Sequence, residues 1–124
     1  MNLELNNREP IYLQVVRHFK QRIAIGELVA GEEVPSRREL AVMLGINPNT
    51  VQKAYKEMED QKLIVTDRNF PSRTTKDENI LRQVRNELIN EAAVQFIAAM
   101  KHISVTEEEV IQVVKEVYRT GELK

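Results

Sequence analysis

A mainly α-helical chain is predicted: an N-terminal helix-turn-helix unit with a small β-hairpin, followed by a two-helix tail. Three observations lead there. Apolar residues recur at helical spacing in five separate segments. Two of these segments are short and meet at a single glycine, Gly45, with helix-start residues ahead of each. One short apolar run, Leu63-Ile64-Val65-Thr66, is followed by a polar stretch too irregular to continue a helix.

The first helix is predicted over 10–25. Pro10 suits its first position, where a missing amide costs nothing, and Ile11, Val15, Phe19 and Ile23 recur every four residues. Gly26 can end it in the left-handed conformation. Gly26–Pro35 reads as a loop in which Val34 suits a short strand. Ser36 then caps the second helix while Glu39 reaches back, a reciprocal capping box, with Leu40, Ala41 and Leu44 as the apolar side. That helix stops at Gly45 after about two turns, a length that fits the first helix of a helix-turn-helix. Asn47 is a good N-cap and Pro48 a good first residue for the third helix, whose apolar positions are Val51, Ala54, Tyr55 and Met58. It is expected to reach Asp60 or Lys62. Leu63–Thr66 reads as a short strand, and residues 67–79 as a degenerate hairpin and linker.

A long helix follows from Glu78 to about Ile103. Its first part is one-sided, through Ile80, Leu81, Val84 and Leu88. Its second part, 92–100, is apolar on nearly every side, and such a helix must be covered on every side. One short partner helix cannot do that, so a second subunit is the expected cover. Leu88, Ala92, Phe96, Ile97 and Met100 are the candidate pairing residues here, with Val113 and Val117 from the last helix. The last helix has a capping box at Thr106 and Glu109, a staple of Val105 and Val110, and an expected buried stripe of Val110, Val113, Val114, Val117 and Tyr118. The domains are therefore placed at 1–75 and 76–124.

Composition narrows the function. The 124 residues are 42% hydrophobic and 30% charged, an ordinary balance for a folded chain; with 5% aromatics and no Trp the core must be aliphatic. Without cysteine there is no disulfide framework, thiolate metal site or Cys nucleophile. No apolar run approaches the roughly 18 residues of a membrane span, and Met1-Asn2-Leu3-Glu4-Leu5 is not an export signal, so a cytoplasmic protein is expected. His18 and His102 lack a second histidine at metal spacing. Glu107-Glu108-Glu109 sits where a helix dipole favours negative charge. No phosphate loop, Gly-x-Ser-x-Gly or His-Glu-x-x-His pattern is present. Neither an enzyme nor a metal or cofactor site is expected.

The net charge of −1 hides a local feature. Residues 36–56 carry Arg37, Arg38, Lys53 and Lys56 against Glu39 alone, and no carboxylate occurs between Glu39 and Glu57. At about 100° per residue, the apolar side of the third helix centres near 350° from Val51, and Asn49, Gln52, Lys53 and Lys56 centre near 150°. Amides and amines on the N-terminal half of such a helix match base edges and phosphates of double-stranded DNA. A plain solvated face has the same composition.

The ordered segments Pro10-Ile11-Tyr12-Leu13-Gln14, Gly26-Glu27-Leu28, Pro35-Ser36-Arg37-Arg38-Glu39-Leu40-Ala41, Asn47-Pro48-Asn49-Thr50-Val51, Ala54-Tyr55 and Leu63-Ile64 together resemble the GntR family of bacterial transcription regulators over residues 10–66. The short tail is similar to that of its small YtrA-like subgroup. The resemblance implies a winged helix-turn-helix on DNA, with the tail pairing two subunits and too small to hold the usual effector domain. It implies that Ser36 and Arg38 meet the DNA backbone or groove edge, that Asn47, Asn49 and Thr50 touch phosphates and bases, that Gln52 and Lys53 read sequence, and that Tyr55 is core. Asn47 reads equally as a plain N-cap. The resemblance fades after Thr66: the family's Gly-x-Gly-Thr-Phe wing turn is replaced by Asp67–Thr74, with Pro71 and no glycine, leaving Arg68 and Arg73 as wing cations and Asn69 as a residue that tolerates the left-handed conformation. A DNA-binding repressor acting as a homodimer on a near-palindromic operator is the expectation. The alternatives are a protein-interaction module that has lost DNA binding and a ligand-sensing regulator, the latter lacking any convergent polar cluster in the tail.

Overall fold

The computed structural model describes residues 3–122; Met1 and Asn2, part of the start read above against an export signal, lie outside the described residues. Pro10 stands one place earlier than expected. With ψ 135° it is the last extended residue before α1 (Ile11–Ala24), and its carbonyl accepts from the amides of Leu13 and Gln14. The Gln14 side chain binds the arm ahead of it, donating to the carbonyls of Asn6 and Glu9 and accepting from the Asn6 amide at 3.0 Å. Gly26, at φ 78°, turns the chain off α1 as anticipated.

Helix α2 (Arg37–Leu44) begins at the Ser36–Glu39 capping box and ends at Gly45, whose φ of 63° is the left-handed turn into α3 (Pro48–Asp60). The expected strand Leu63–Thr66 shrinks to β1 (Ile64–Val65), paired antiparallel with β2 (Arg73–Thr74), Ile64 opposite Thr74 and Val65 opposite Arg73. The loop ahead of α2 joins them. Glu33 bridges Arg73, the Thr74 amide donates to the Glu32 carbonyl at 2.8 Å, and the Val34 amide donates to that of Ser72 at 2.9 Å. The bridge thus falls on Glu33, beside the expected Val34. The wing turns at Asp67–Phe70, where the Phe70 amide closes on the Asp67 carbonyl and Asn69 takes φ 69°.

Helix α4 (Glu78–His102) spans the division between two compact units, Met1–Leu88 and Ile89–Lys124. The division lies thirteen residues beyond the expected 75/76 boundary, because the start of α4 belongs to the N-terminal core. Val84 is buried there, and Ile80, Leu81 and Leu88 pack against it. Lys20 of α1, nearly buried, donates to both carboxylate oxygens of Glu87 at 3.1 and 3.2 Å. Leu88, half-buried, is therefore the last residue of the first unit and packs against its core.

In the second unit α4 turns through Ser104, at φ 56°, into α5 (Glu107–Thr120), which starts at the Thr106–Glu109 capping box. The stripe expected to be buried on α5 is not buried within one chain. Val110 and Val113 are half-buried, Val114 and Val117 are exposed, and Tyr118 is 90% exposed. Ala92 and Ile97 are likewise exposed, with Phe96 and Met100 half-buried.

Candidate nucleic-acid interface

The underside of α3 is dry. Val51, Ala54, Tyr55 and Met58 all have 0% exposure. Tyr55 is the hub. Its ring meets Phe19 of α1 edge-on at 6.2 Å, and its hydroxyl donates to the Pro35 carbonyl just ahead of α2. Burial pushes that hydroxyl's pKa up to about 12, against the opposing pull of the Arg37 cation. The guanidinium of Arg37 lies 5.0 Å over the Tyr55 ring and pairs with Glu59 near the end of α3. Three elements are thereby tied to one side chain, which fixes how α2 and α3 cross.

The opposite side of α3 is open. Asn49, Gln52, Lys53 and Lys56 are exposed together, as the helical spacing predicts, and Thr50 beside them is half-buried. Asn47 serves as the N-cap, its side-chain oxygen accepting from the Asn49 amide at 2.7 Å. Ser36 likewise spends its oxygen on the Glu39 amide at 3.1 Å, leaving its hydroxyl hydrogen as the group available outward. Arg38 is exposed at the start of α2. Among the described residues no carboxylate lies within ion-pair distance of Arg38, Lys53, Lys56 or Arg68.

Two predicted cations are already engaged by carboxylates of the chain. Arg37 is held by Tyr55 and Glu59, so it braces the motif and is not part of the open face. Arg73, still exposed, donates to the Gly31 carbonyl at 3.1 Å and lies 3.8 Å from Glu33, whereas Arg68 of the wing turn has no acidic partner among the described residues. Phe70 beside it is 69% exposed. Sequence reasoning passed over Tyr12, whose ring lies beneath Lys53 with the ammonium 4.2 Å from its centroid.

Among the described residues no group of three or more His, Asp or Glu side chains is arranged to hold a metal, and no helix is long and apolar enough to cross a membrane. The buried Nε2 of His18 has no hydrogen-bond partner among the described residues, and burial, followed by the charge of Arg22, holds its pKa below 6.5.

A short capped helix, a left-handed glycine and a second helix that is oily beneath and amide- and ammonium-bearing above define a helix-turn-helix regulator. Residues 11–70 match the family described as bacterial regulatory proteins, gntR family. The chain is 31% identical over 115 residues to the uncharacterized HTH-type transcriptional regulator YhcF of Bacillus subtilis, covering 93% of this chain and 95% of that one. It is 30% identical over 118 residues to the HTH-type transcriptional repressor YtrA of the same organism, covering 94% and 91%. A solved GntR family transcriptional regulator from Listeria monocytogenes superposes with a TM-score of 0.85 at 34% identity, covering 91% of this chain and 99% of that one. The chain belongs to the GntR family of helix-turn-helix transcriptional regulators and is similar over its length to small members such as YtrA.

Proposed function

We propose that this chain is a homodimeric repressor that reads a near-palindromic operator in the cytoplasm. The first unit enters the DNA and the second pairs two copies. The observation that carries the reading is the open face of α3. Asn49, Gln52, Lys53 and Lys56 stand together on a helix whose other side is wholly dry, so the face is rigidly presented. In the major groove, Gln52 suits the paired donor and acceptor of adenine, and Lys53 suits the acceptors of guanine. Arg38, Lys56 and the wing's Arg68 are the backbone-neutralising cations, and the Asn47–Thr50 turn is the groove-edge contact.

Pairing is supported by the second unit. Ala92, Phe96, Ile97, Met100, Val113 and Val117 form apolar surface that one chain leaves at least partly open. A two-fold symmetric pair on a near-palindromic operator would address half-sites about one duplex turn apart, roughly 34–36 Å, or a multiple of that. The sign of regulation follows the relative named as a repressor.

Selection of bound duplexes from a random pool tests binding, symmetry and spacing together. The expected outcome is an inverted repeat whose affinity falls steeply with salt. Recovery of no enriched sequence, or of a lone asymmetric half-site, would overturn the reading.

A further inference from the structure

Lys53 has an exposed side chain, yet it is not loose. Its ammonium sits 4.2 Å above the ring of Tyr12, within the range where the ring's negative face attracts a cation. Tyr12 lies in the first turn of α1 and Lys53 in the middle of α3, and these two helices are locked to each other below by the edge-on contact of Phe19 with Tyr55. The ring is therefore a fixed platform. Among the described residues no carboxylate is close enough to compete for the ammonium. A ring face, unlike a carboxylate, leaves the positive charge uncancelled and leaves N–H donors free for another acceptor. An unsupported lysine on a helix surface must give up its rotamer freedom when it docks; one already parked on a platform gives up less.

We infer that Tyr12 is a positioning residue of the DNA-reading face. It holds the Lys53 ammonium over its ring before DNA arrives and so sets the base preference that Lys53 exerts. The inference rests on the operator reading proposed above.

The test uses the full chain and the duplex recovered from the random pool, with single-base variants of it. Tyr12→Phe keeps the ring; Tyr12→Leu keeps apolar bulk without it; Lys53→Met removes the ammonium. Tyr12→Phe is expected to discriminate like the parent. Tyr12→Leu is expected to lose about two- to fivefold in discrimination at the base pairs where Lys53→Met loses it, the range an exposed cation–π contact implies. The double variant should discriminate no worse than Lys53→Met alone. A merely structural role would lower the melting temperature and leave the base profile unmoved. Independently of DNA, the Lys53 side-chain methylenes nearest the ammonium should show upfield ring-current shifts in the free parent protein, kept in Tyr12→Phe.

Unshifted methylenes in the parent, an unchanged profile in Tyr12→Leu, or losses that multiply in the double variant would each overturn the inference while leaving operator binding intact. A parent chain that binds no duplex would overturn the operator reading itself, and this inference with it.

Discussion

Replacing Tyr55 with phenylalanine removes one oxygen from the most connected residue of the helix-turn-helix. The ring stays, so the edge contact with Phe19 and the platform beneath Arg37 survive. What is lost is the hydrogen bond to the Pro35 carbonyl, which ties α3 to the residue ahead of the Ser36 cap. Pro35 is partly exposed, so its carbonyl can recover some hydration, and the cost belongs at about 1 kcal/mol, the low end for a buried acceptor losing its donor. For a unit of this size that is a fall of about 4–8 °C in melting temperature. Scanning calorimetry of parent and variant at one protein concentration measures it. The pH dependence gives a second handle. The folded hydroxyl titrates at about 12 against an ordinary 10.0. The unfolded chain therefore releases this proton first, and the stabilisation is complete below pH 10 and declines as pH rises toward 12. The gap between parent and Tyr55→Phe should narrow across that window. A melting temperature unchanged by the substitution, or a gap that widens with alkali, would refute the hub assignment.

Four further outcomes are expected. Arg38→Ala should weaken binding to operator and scrambled duplexes alike and reduce the slope of log affinity against log salt by about 1, read from titrations at several salt concentrations. Gln52→Ala should leave that slope unchanged and relax preference at one base pair by about 1–3 kcal/mol, read from single-base operator variants. Ile97→Asp puts a charge on the open apolar surface of the second unit and should shift sedimentation toward single chains without melting the first unit. The neutral form of His18 is favoured in the folded state, because burial and then Arg22 lower its pKa from 6.5. Its contribution is complete above pH 6.5 and is lost as pH falls through the lowered value; His18→Gln should flatten that part of the stability profile.

The elements legible in the sequence are those written in neighbouring residues. The Ser36–Glu39 and Thr106–Glu109 capping boxes, the Asn47 cap and the glycine that ends α2 all join residues within a few places of one another. Asn69 was legible for the same reason, since its tolerance of positive φ is its own property. What escaped is decided between distant segments. Arg37 counts as a surface cation on its own helix; only the packing of α3, with Tyr55 and Glu59 some twenty residues on, turns it inward. Leu88 shares a face with Ala92 and Phe96 in the helical pattern; that its turn also packs on the first unit, through the Lys20–Glu87 contact and buried Val84, depends on a helix nearly seventy residues away. The strands came out shorter than their apolar run because β-pairing depends on the partner, and part of β2's partner is the loop at Glu32–Val34.

The near-neutral charge of the chain is consistent with a DNA-binding face once the carboxylates are placed. Glu59 is consumed by Arg37, Glu87 by Lys20 and Glu33 by Arg73, so each of these acids neutralises a cation off the open face of α3. Glu107, Glu108 and Glu109 sit in the first turn of α5, where the helix dipole offsets them. Arg38, Lys53, Lys56 and Arg68 are left without an acidic partner among the described residues. Bulk charge averages over these two populations and reports neither. For a polyanion, the relevant quantity is the set of cations whose counter-charges must come from the ligand, because each such contact releases a condensed counterion. Adding a carboxylate within that set, as in Gln52→Glu, should therefore weaken binding to every duplex far more than the same charge added on the exposed face of α5, although the two variants have identical net charge.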